Sequence, residues 1–175
     1  MNIEILCIGN LKETWLRDAA GEYAKRLRPY AQLSVTELKE TRLPANASAA
    51  DEEAVRRKEG GALLAALPLA GGGKDAHNAK SGAAASLFVI ALDRRGEALT
   101  SEGFAERLEA LTARGKSRIC FLIGGSLGLS EAALSRADQR LSFSAFTFPH
   151  QLMRVILLEQ IYRAFKIQRG EPYHK

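Results

Sequence analysis

The stretch "CFLIGGSLGLS", residues 120–130, is an apolar run that breaks into three glycines within five positions. Such a run predicts a buried strand, a tight glycine turn and the start of a helix. In the dinucleotide fingerprint, Gly-x-Gly-x-x-Gly follows a strand, and an acid follows about 20 residues later. Gly125 and Gly128 match the second and third glycines, but Ile123 stands at the first position, and residues 141–154 contain no acid. Two interpretations remain: a turn that only lets a helix begin, and a loop that binds a different ligand at the carboxyl end of a parallel strand.

On both sides of this stretch, short apolar runs alternate with segments of helical periodicity. This order predicts an α/β domain with a largely parallel sheet. The predicted strands span residues 2–8, 33–38, 86–92, 118–124 and 141–148. The predicted helices span residues 12–28 and 48–67, a segment from Thr100 or Ser101 to Gly115, a short segment after Ser130, and residues 150–168.

The composition is that of an ordinary globular protein. The 175 residues fit one domain, and 46% of them are hydrophobic and 26% charged. No apolar run approaches the roughly 18 residues of a membrane span, and the first ten residues lack the pattern of a signal peptide. We therefore expect a cytoplasmic protein. The net charge of +5 is consistent with an anionic partner such as nucleic acid but does not require one.

Three residues of types that often carry chemistry, two cysteines and a histidine, have no partner in the sequence pattern. Cys7 and Cys120 each lie inside a predicted core strand, which favours buried, reduced thiols. His77 lies in the glycine-rich stretch 68–85, which we expect to be a flexible surface loop, and no Cys or second His stands near it. The sequence therefore predicts no metal site.

The stretch "LSFSAFTFPHQLMRV", residues 141–155, combines aromatic and small residues. Its phenylalanines alternate with Ser, Ala and Thr, a pattern that can line a flat slot for a planar base. The same alternation is also typical of an ordinary amphipathic strand. His150 and Arg154 follow at the start of the last predicted helix, where free backbone N–H groups favour an anion.

Arg154 is predicted to lie on the apolar face of this helix, whereas a solvated charge is expected on the polar face. On a helical wheel it falls beside Leu158 and Phe165, opposite a polar stripe that contains Glu159 and Arg163. A charge on an apolar face is costly unless it is paired or meets an anion. A structural ion pair and a contact to phosphate or carboxylate are equally compatible with this position. Because the helix is apolar nearly all round, we expect a partner subunit to cover part of it.

The tail "IQRGEPYHK", residues 167–175, ends the chain with an aromatic residue, a histidine and a lysine. Most terminal segments are loosely ordered and have no role. Residues 151–175 nevertheless contain five Lys or Arg and two acids, and this local excess of positive charge suits contact with phosphates.

Several of these segments together resemble one known family. They are "EILCIGNLKETW" (4–15), "EYAKRLRPY" (22–30), "IGGSLGL" (123–129), "LSFSAFTFPHQLMRVILLEQIYRAFKI" (141–167) and "RGEPYHK" (169–175). They resemble the ribosomal RNA large subunit methyltransferase H family, within the SPOUT class of knotted methyltransferases. The resemblance covers almost the whole chain except the stretch 68–85.

The resemblance implies transfer of a methyl group from S-adenosylmethionine to N3 of pseudouridine-1915 in helix 69 of 23S ribosomal RNA, on the assembled ribosome. It implies a single SPOUT domain: a mostly parallel sheet of five to six strands, helices on both faces and a C-terminal trefoil knot. It also implies a homodimer. A non-catalytic ribosome-binding factor with the same fold, and a SPOUT methyltransferase that acts on transfer RNA, are the alternatives.

The resemblance also assigns roles to individual positions. The implied cofactor contacts are Leu92, Gly124, Phe143, Ser144, Ala145, Phe146, Thr147 and Phe148. The candidates for catalysis, chosen by residue type and position, are His150, Arg154, Tyr173 and His174. His150 or His174 would act as a general base, and Arg154 would grip a phosphate or lower the pKa of the uracil-like ring. Tyr173 and His174 would reach the site across the dimer interface.

Overall fold

A computed structural model describes residues 1–68 and 87–173. The strands in this part of the chain are β1 (Asn2–Ile8), β2 (Gln32–Leu38), β3 (Leu87–Ala98), β4 (Arg118–Ile123) and β5 (Gln139–Ser142). The helices are α1 (Thr14–Leu27), α2 (Ala49–Ala66), α3 (Ser101–Ala113), α4 (Glu131–Arg136) and α5 (His150–Gln168). The loop predicted over 68–85, with His77, lies almost wholly outside the described residues.

The five strands form one sheet in the order β2-β1-β4-β3-β5, and every neighbouring pair is parallel. The prediction of an α/β domain with a parallel sheet is therefore confirmed. Because all strands run the same way, the loops that follow β3, β4 and β5 meet at one edge of the sheet.

Alternating side chains of the central strands pack on opposite layers of helices. Ile5 and Cys7 belong to a core that includes residues of α1, α3 and α5, whereas Leu6 and Ile8 pack with α2 and α4. Both layers bury strand residues completely, which explains why these strands are continuous apolar runs. The two cysteines lie in this interior, and burial raises the pKa of the Cys7 thiol to about 11 and that of Cys120 to about 12. Both are neutral thiols at pH 7, as predicted.

The predicted strand over 141–148 is wrong in its second half, because β5 spans only Gln139–Ser142. The hydroxyl of Ser142 donates to the carbonyl of Ser144 at 3.0 Å, and the hydroxyl of Ser144 accepts from the backbone N–H of Phe146 at 3.0 Å. Such short-range bonds compete with a strand ladder. The chain therefore leaves the sheet after Ser142, and the ring of Phe146 is 79% exposed.

The third strand is longer than predicted. Instead of ending at Leu92, β3 continues to Ala98 and pairs again with β5 after an irregularity between Leu92 and Glu97. The irregular segment moves the backbone after Leu92 out of regular pairing. This bulge adds polar side chains at the same edge of the sheet.

Two adjacent glycines of α2 differ in their surroundings and provide a test of the packing between α2 and α4. A Cβ at Gly61 would have no atom within 4 Å, so Gly61→Ala is expected to stabilise the protein by about 0.5–1 kcal/mol through helix propensity. A Cβ at Gly60 would overlap the hydroxyl of Ser130, the N-cap of α4, and Gly60→Ala is expected to destabilise by about 1–3 kcal/mol. Denaturant unfolding measures both changes. Shifts of the same sign would contradict this packing.

Candidate functional site

A cavity of about 530 Å³ opens at the carboxyl edge of the sheet. Its walls come from the loop after β4, the irregular part of β3 and the segment between β5 and α5, with α2 at one side. This volume lies in the range of small-molecule and cofactor sites. The edge where parallel strands end is also the usual ligand site in α/β sheets.

The loop after β4 is a tight turn built on glycine. Gly128 has a φ of +79°, and its N–H donates to the carbonyl of Gly125 at 3.0 Å. A Cβ at Gly124 would lie 2.5 Å from the carbonyl carbon of Gly128, so only glycine allows the two arms of the loop to touch. The hydroxyl of Ser130 accepts from Ala133 N at 3.2 Å and so caps the first turn of α4. The loop thus combines both interpretations: its glycines shape a turn, and the turn forms a wall of the cavity.

The structure brings together most of the positions proposed for the cofactor. They lie on three separate segments of the chain but line the same cavity: Leu92, Gly124, Phe143, Ser144, Phe146, Thr147 and Phe148. Ala145 belongs to the same segment but is not part of the lining. Leu92 and Leu141, side by side on β3 and β5, form an apolar floor below these residues.

His150 begins α5 and also lines the cavity. Its Nε2 is buried, has no hydrogen-bond partner among the described residues, and faces the backbone of Gly9, whose φ is +81°. Burial is the main cause that lowers the pKa of His150 below its ordinary value, and the nearby Glu40 carboxylate partly offsets this effect. The imidazole is therefore neutral at pH 7, and its Nε2 lies in the interior against Gly9.

Arg154 does not line this cavity. Its side chain is 2% exposed, forms an ion pair with Glu37, and donates a hydrogen bond to the carbonyl of Gly9 at 2.7 Å. It borders a second, shallower cavity of about 400 Å³ between α1, β2 and α5. Arg154 therefore forms the structural ion pair that was one of its two predicted roles. The other role, contact with a phosphate or carboxylate of a ligand, stays a prediction.

A family model described as "Predicted SPOUT methyltransferase" matches residues 1–174. The chain belongs to the SPOUT methyltransferase family. The resemblance drawn from the sequence segments is thereby confirmed, and the chain is an enzyme of the methyltransferase class.

Known proteins similar to this SPOUT methyltransferase match it from end to end. Proteins named "Ribosomal RNA large subunit methyltransferase H" are 50% identical in Clostridium novyi, 49% in Carboxydothermus hydrogenoformans and 46% in Bacillus pumilus, each over 100% of both chains. Among solved structures, the SpoU methyltransferase AviRb from Streptomyces viridochromogenes in complex with AdoMet is 18% identical, with a TM-score of 0.45 over 96% of this chain and 58% of that chain. A methylase family protein from Neisseria gonorrhoeae is 15% identical, with a TM-score of 0.48 over 99% and 85% of the two chains.

In this SPOUT methyltransferase, Tyr173 lies against the C-terminal half of α5 and not in the cavity of its own chain. Its hydroxyl donates to Glu159 at 3.1 Å, its ring meets that of Tyr162 edge-on at 4.9 Å, and the Arg163 guanidinium lies 4.8 Å from its centre. Burial and the hydrogen bonds to Tyr23 and Glu159 raise the pKa of Tyr173 above its usual value. The phenol is protonated at pH 7 and anchors the tail, whereas His174 lies outside the described residues.

Sequence reasoning missed one buried acid beside the cavity. Glu59 is 3% exposed and accepts a hydrogen bond from the backbone N–H of Thr41 at 2.8 Å. A signal was present, because Glu59 follows Val55 by four residues and precedes Leu63 by four, which places an acid on the apolar face of α2. Within the part of the chain that the structure describes, no cluster of three or more metal-binding side chains occurs.

Proposed function

We propose that this SPOUT methyltransferase transfers a methyl group from S-adenosylmethionine to N3 of a pseudouridine in helix 69 of the large-subunit ribosomal RNA. The observation that carries the proposal is the identity of 46–50% along the whole chain with proteins named ribosomal RNA large subunit methyltransferase H. The positive net charge of +5 suits an RNA substrate.

The methyl donor of a SPOUT methyltransferase is S-adenosylmethionine, and the residues of the cavity suit it. The cofactor carries no phosphate, so it does not require the phosphate-binding loop of the dinucleotide fingerprint. The apolar floor at Leu92 and Leu141 fits a flat purine ring, and the backbone of residues 143–148 leaves the sheet, where its polar groups can meet the ring edge. When bound, S-adenosylmethionine supplies a methyl group on a positively charged sulfur.

The chain's own residues position the reactants and accept the proton. Direct displacement requires the target nitrogen and the methyl carbon to be close and in line. The three segments that line the cavity would enforce this geometry. Neutral His150 is the general-base candidate within the described residues, and His174 is the alternative. Arg154 would act on the substrate only if Glu37 released its guanidinium, so we place it first as a support for Gly9 and α5.

The proposal includes a homodimer with the C-terminal tail near the partner's cavity. Leu152, Val155 and Ile156 of α5 remain only half-buried, as expected of a helix that a second subunit covers. A single domain with a C-terminal trefoil knot, acting in the cytoplasm, completes the proposal. The family match over residues 1–174 supports the single domain. No helix in the described ranges is long and apolar enough to span a bilayer.

Methyl mapping on ribosomal RNA tests the function. Ribosomes from a strain that lacks the gene are incubated with the purified protein and labelled S-adenosylmethionine, and helix 69 is analysed by mass spectrometry. We expect one added methyl group on a pseudouridine, and none on free transfer RNA. Label in transfer RNA alone would support the transfer RNA alternative. Binding to ribosomes without any methyl transfer would support a ribosome-binding factor.

A further inference from the structure

The turn of α2 that contains Glu59 and Gly60 packs directly behind the glycine loop. A Cβ at Gly125 would lie 2.7 Å from Oε2 of Glu59, and a Cβ at Gly60 would overlap the Ser130 hydroxyl at the end of the loop. Each contact pairs a glycine with a polar side chain across the same interface. The opposite side of the loop, from Gly124 to Leu129, lines the large cavity.

Glu59 is an unusual residue for this interface. It is 3% exposed, and no Lys or Arg of the described residues forms an ion pair with it. Burial raises the pKa of Glu59, while the hydrogen bond from Thr41 N opposes this effect. An acid buried without a cation lowers the stability of the fold. The contacts of Glu59 with the surrounding backbone are therefore the feature that can explain an acid at this position.

The other oxygen of Glu59 contacts the segment that follows β2. Oε1 accepts from Thr41 N, and Thr41 follows Glu40. The Glu40 carboxylate lies near Gly9, where the imidazole of His150 also packs, and it pairs with Lys12 at 3.9 Å. One carboxylate therefore touches the glycine loop with one oxygen and holds the segment beside His150 with the other.

We propose that Glu59 is a positioning residue of the methyl-transfer site. It positions the glycine loop through its contact with Gly125, and it positions the segment Glu40–Thr41, which lies near His150, through the backbone N–H of Thr41. It touches neither cofactor nor RNA and acts through these two backbone segments. This inference rests on the proposed function, because it takes the large cavity as the S-adenosylmethionine site.

Calorimetric titration with S-adenosylmethionine tests the role of Glu59. Glu59→Ala is expected to weaken cofactor binding by about tenfold, because the loss of a hydrogen bond to a carboxylate frees both segments. Glu59→Gln keeps an acceptor for Thr41 N and is expected to stay within about threefold of the original affinity. Gly125→Ala pushes against Oε2 from the other side and is expected to weaken binding as Glu59→Ala does.

Two control variants on the same helix separate positioning from stability. Leu63→Ala removes a side chain that is 1% exposed, and it should cost stability without changing the cofactor affinity of the folded protein. Glu52→Ala removes an acid whose partner is Arg56, and it should change neither quantity by much.

The outcomes separate this inference from the proposed function. If the original protein does not bind S-adenosylmethionine, the proposed function fails, and the inference falls with it. If the original protein binds and Glu59→Ala binds equally well, only the inference is overturned. Equal losses of cofactor affinity in Leu63→Ala and Glu59→Ala would also overturn it, because they would show that Glu59 contributes only to the general stability of the fold. Should Glu59→Ala fail to fold, unchanged affinity in folded Gly125→Ala would overturn it as well.

Discussion

Replacing Arg154 with methionine is expected to lower the free energy of unfolding by about 2–4 kcal/mol. The guanidinium is 2% exposed and joins α5 to Glu37 at the end of β2 and to the carbonyl of Gly9 after β1. Methionine fills much of the volume but donates nothing, so the Gly9 carbonyl loses its partner in the interior. The loss stays below that of a fully buried pair, because Glu37 is 43% exposed and regains water. Urea unfolding monitored by circular dichroism measures the change.

Arg26→Met is the matched control for this prediction. Arg26 pairs with Glu22 one helical turn away, and both side chains are at least 43% exposed. Such an exposed pair contributes little to stability, so Arg26→Met is expected to change the free energy of unfolding much less than Arg154→Met does. A loss below about 1 kcal/mol in Arg154→Met would contradict the structural role of the buried pair. Undiminished methylation by folded Arg154→Ala would remove this residue from any role at the substrate.

Replacing Gly124 with alanine is expected to abolish most of the methyl-transfer activity. The added Cβ would lie 2.5 Å from the carbonyl carbon of Gly128, 2.7 Å from its oxygen and 2.8 Å from Leu129 N. These are backbone atoms on the other arm of the loop, so the loop has to open by about 1 Å or more. A displacement of this size in a positioning wall reduces turnover by about 100-fold. The overlap itself is expected to cost about 1–3 kcal/mol of stability.

Methylation assays and S-adenosylmethionine titration together measure the effect of Gly124→Ala. Gly61→Ala adds the same methyl group to α2 in open space and should leave both quantities unchanged. Near-normal cofactor affinity and turnover in Gly124→Ala would show that the loop is not part of the reactive site, whatever happens to stability.

The site could be predicted only in part from the sequence. The segments "IGGSLGL" and "FSAFTF" indicated a shared pocket through the family resemblance, and the structure places both around one cavity. The position of Arg154 on an apolar helix face made it a candidate for catalysis, whereas its contacts within the chain are with Glu37 and Gly9. The sequence contains the apolar-face position of Glu59 but not its contacts with Thr41 and Gly125, because these two residues lie outside α2.

The sequence by itself determined the type and order of the helices and strands, because burial on two faces and helical periodicity are properties of neighbouring residues. It also determined that Arg154 would be buried, since the wheel places it among apolar side chains. Only the tertiary structure decided the strand order β2-β1-β4-β3-β5 and the early end of β5. It also decided that the partner of Arg154 is a residue 117 positions away. The strand order and the Arg154–Glu37 pair both join residues that are far apart in the sequence, and no local pattern contains that information.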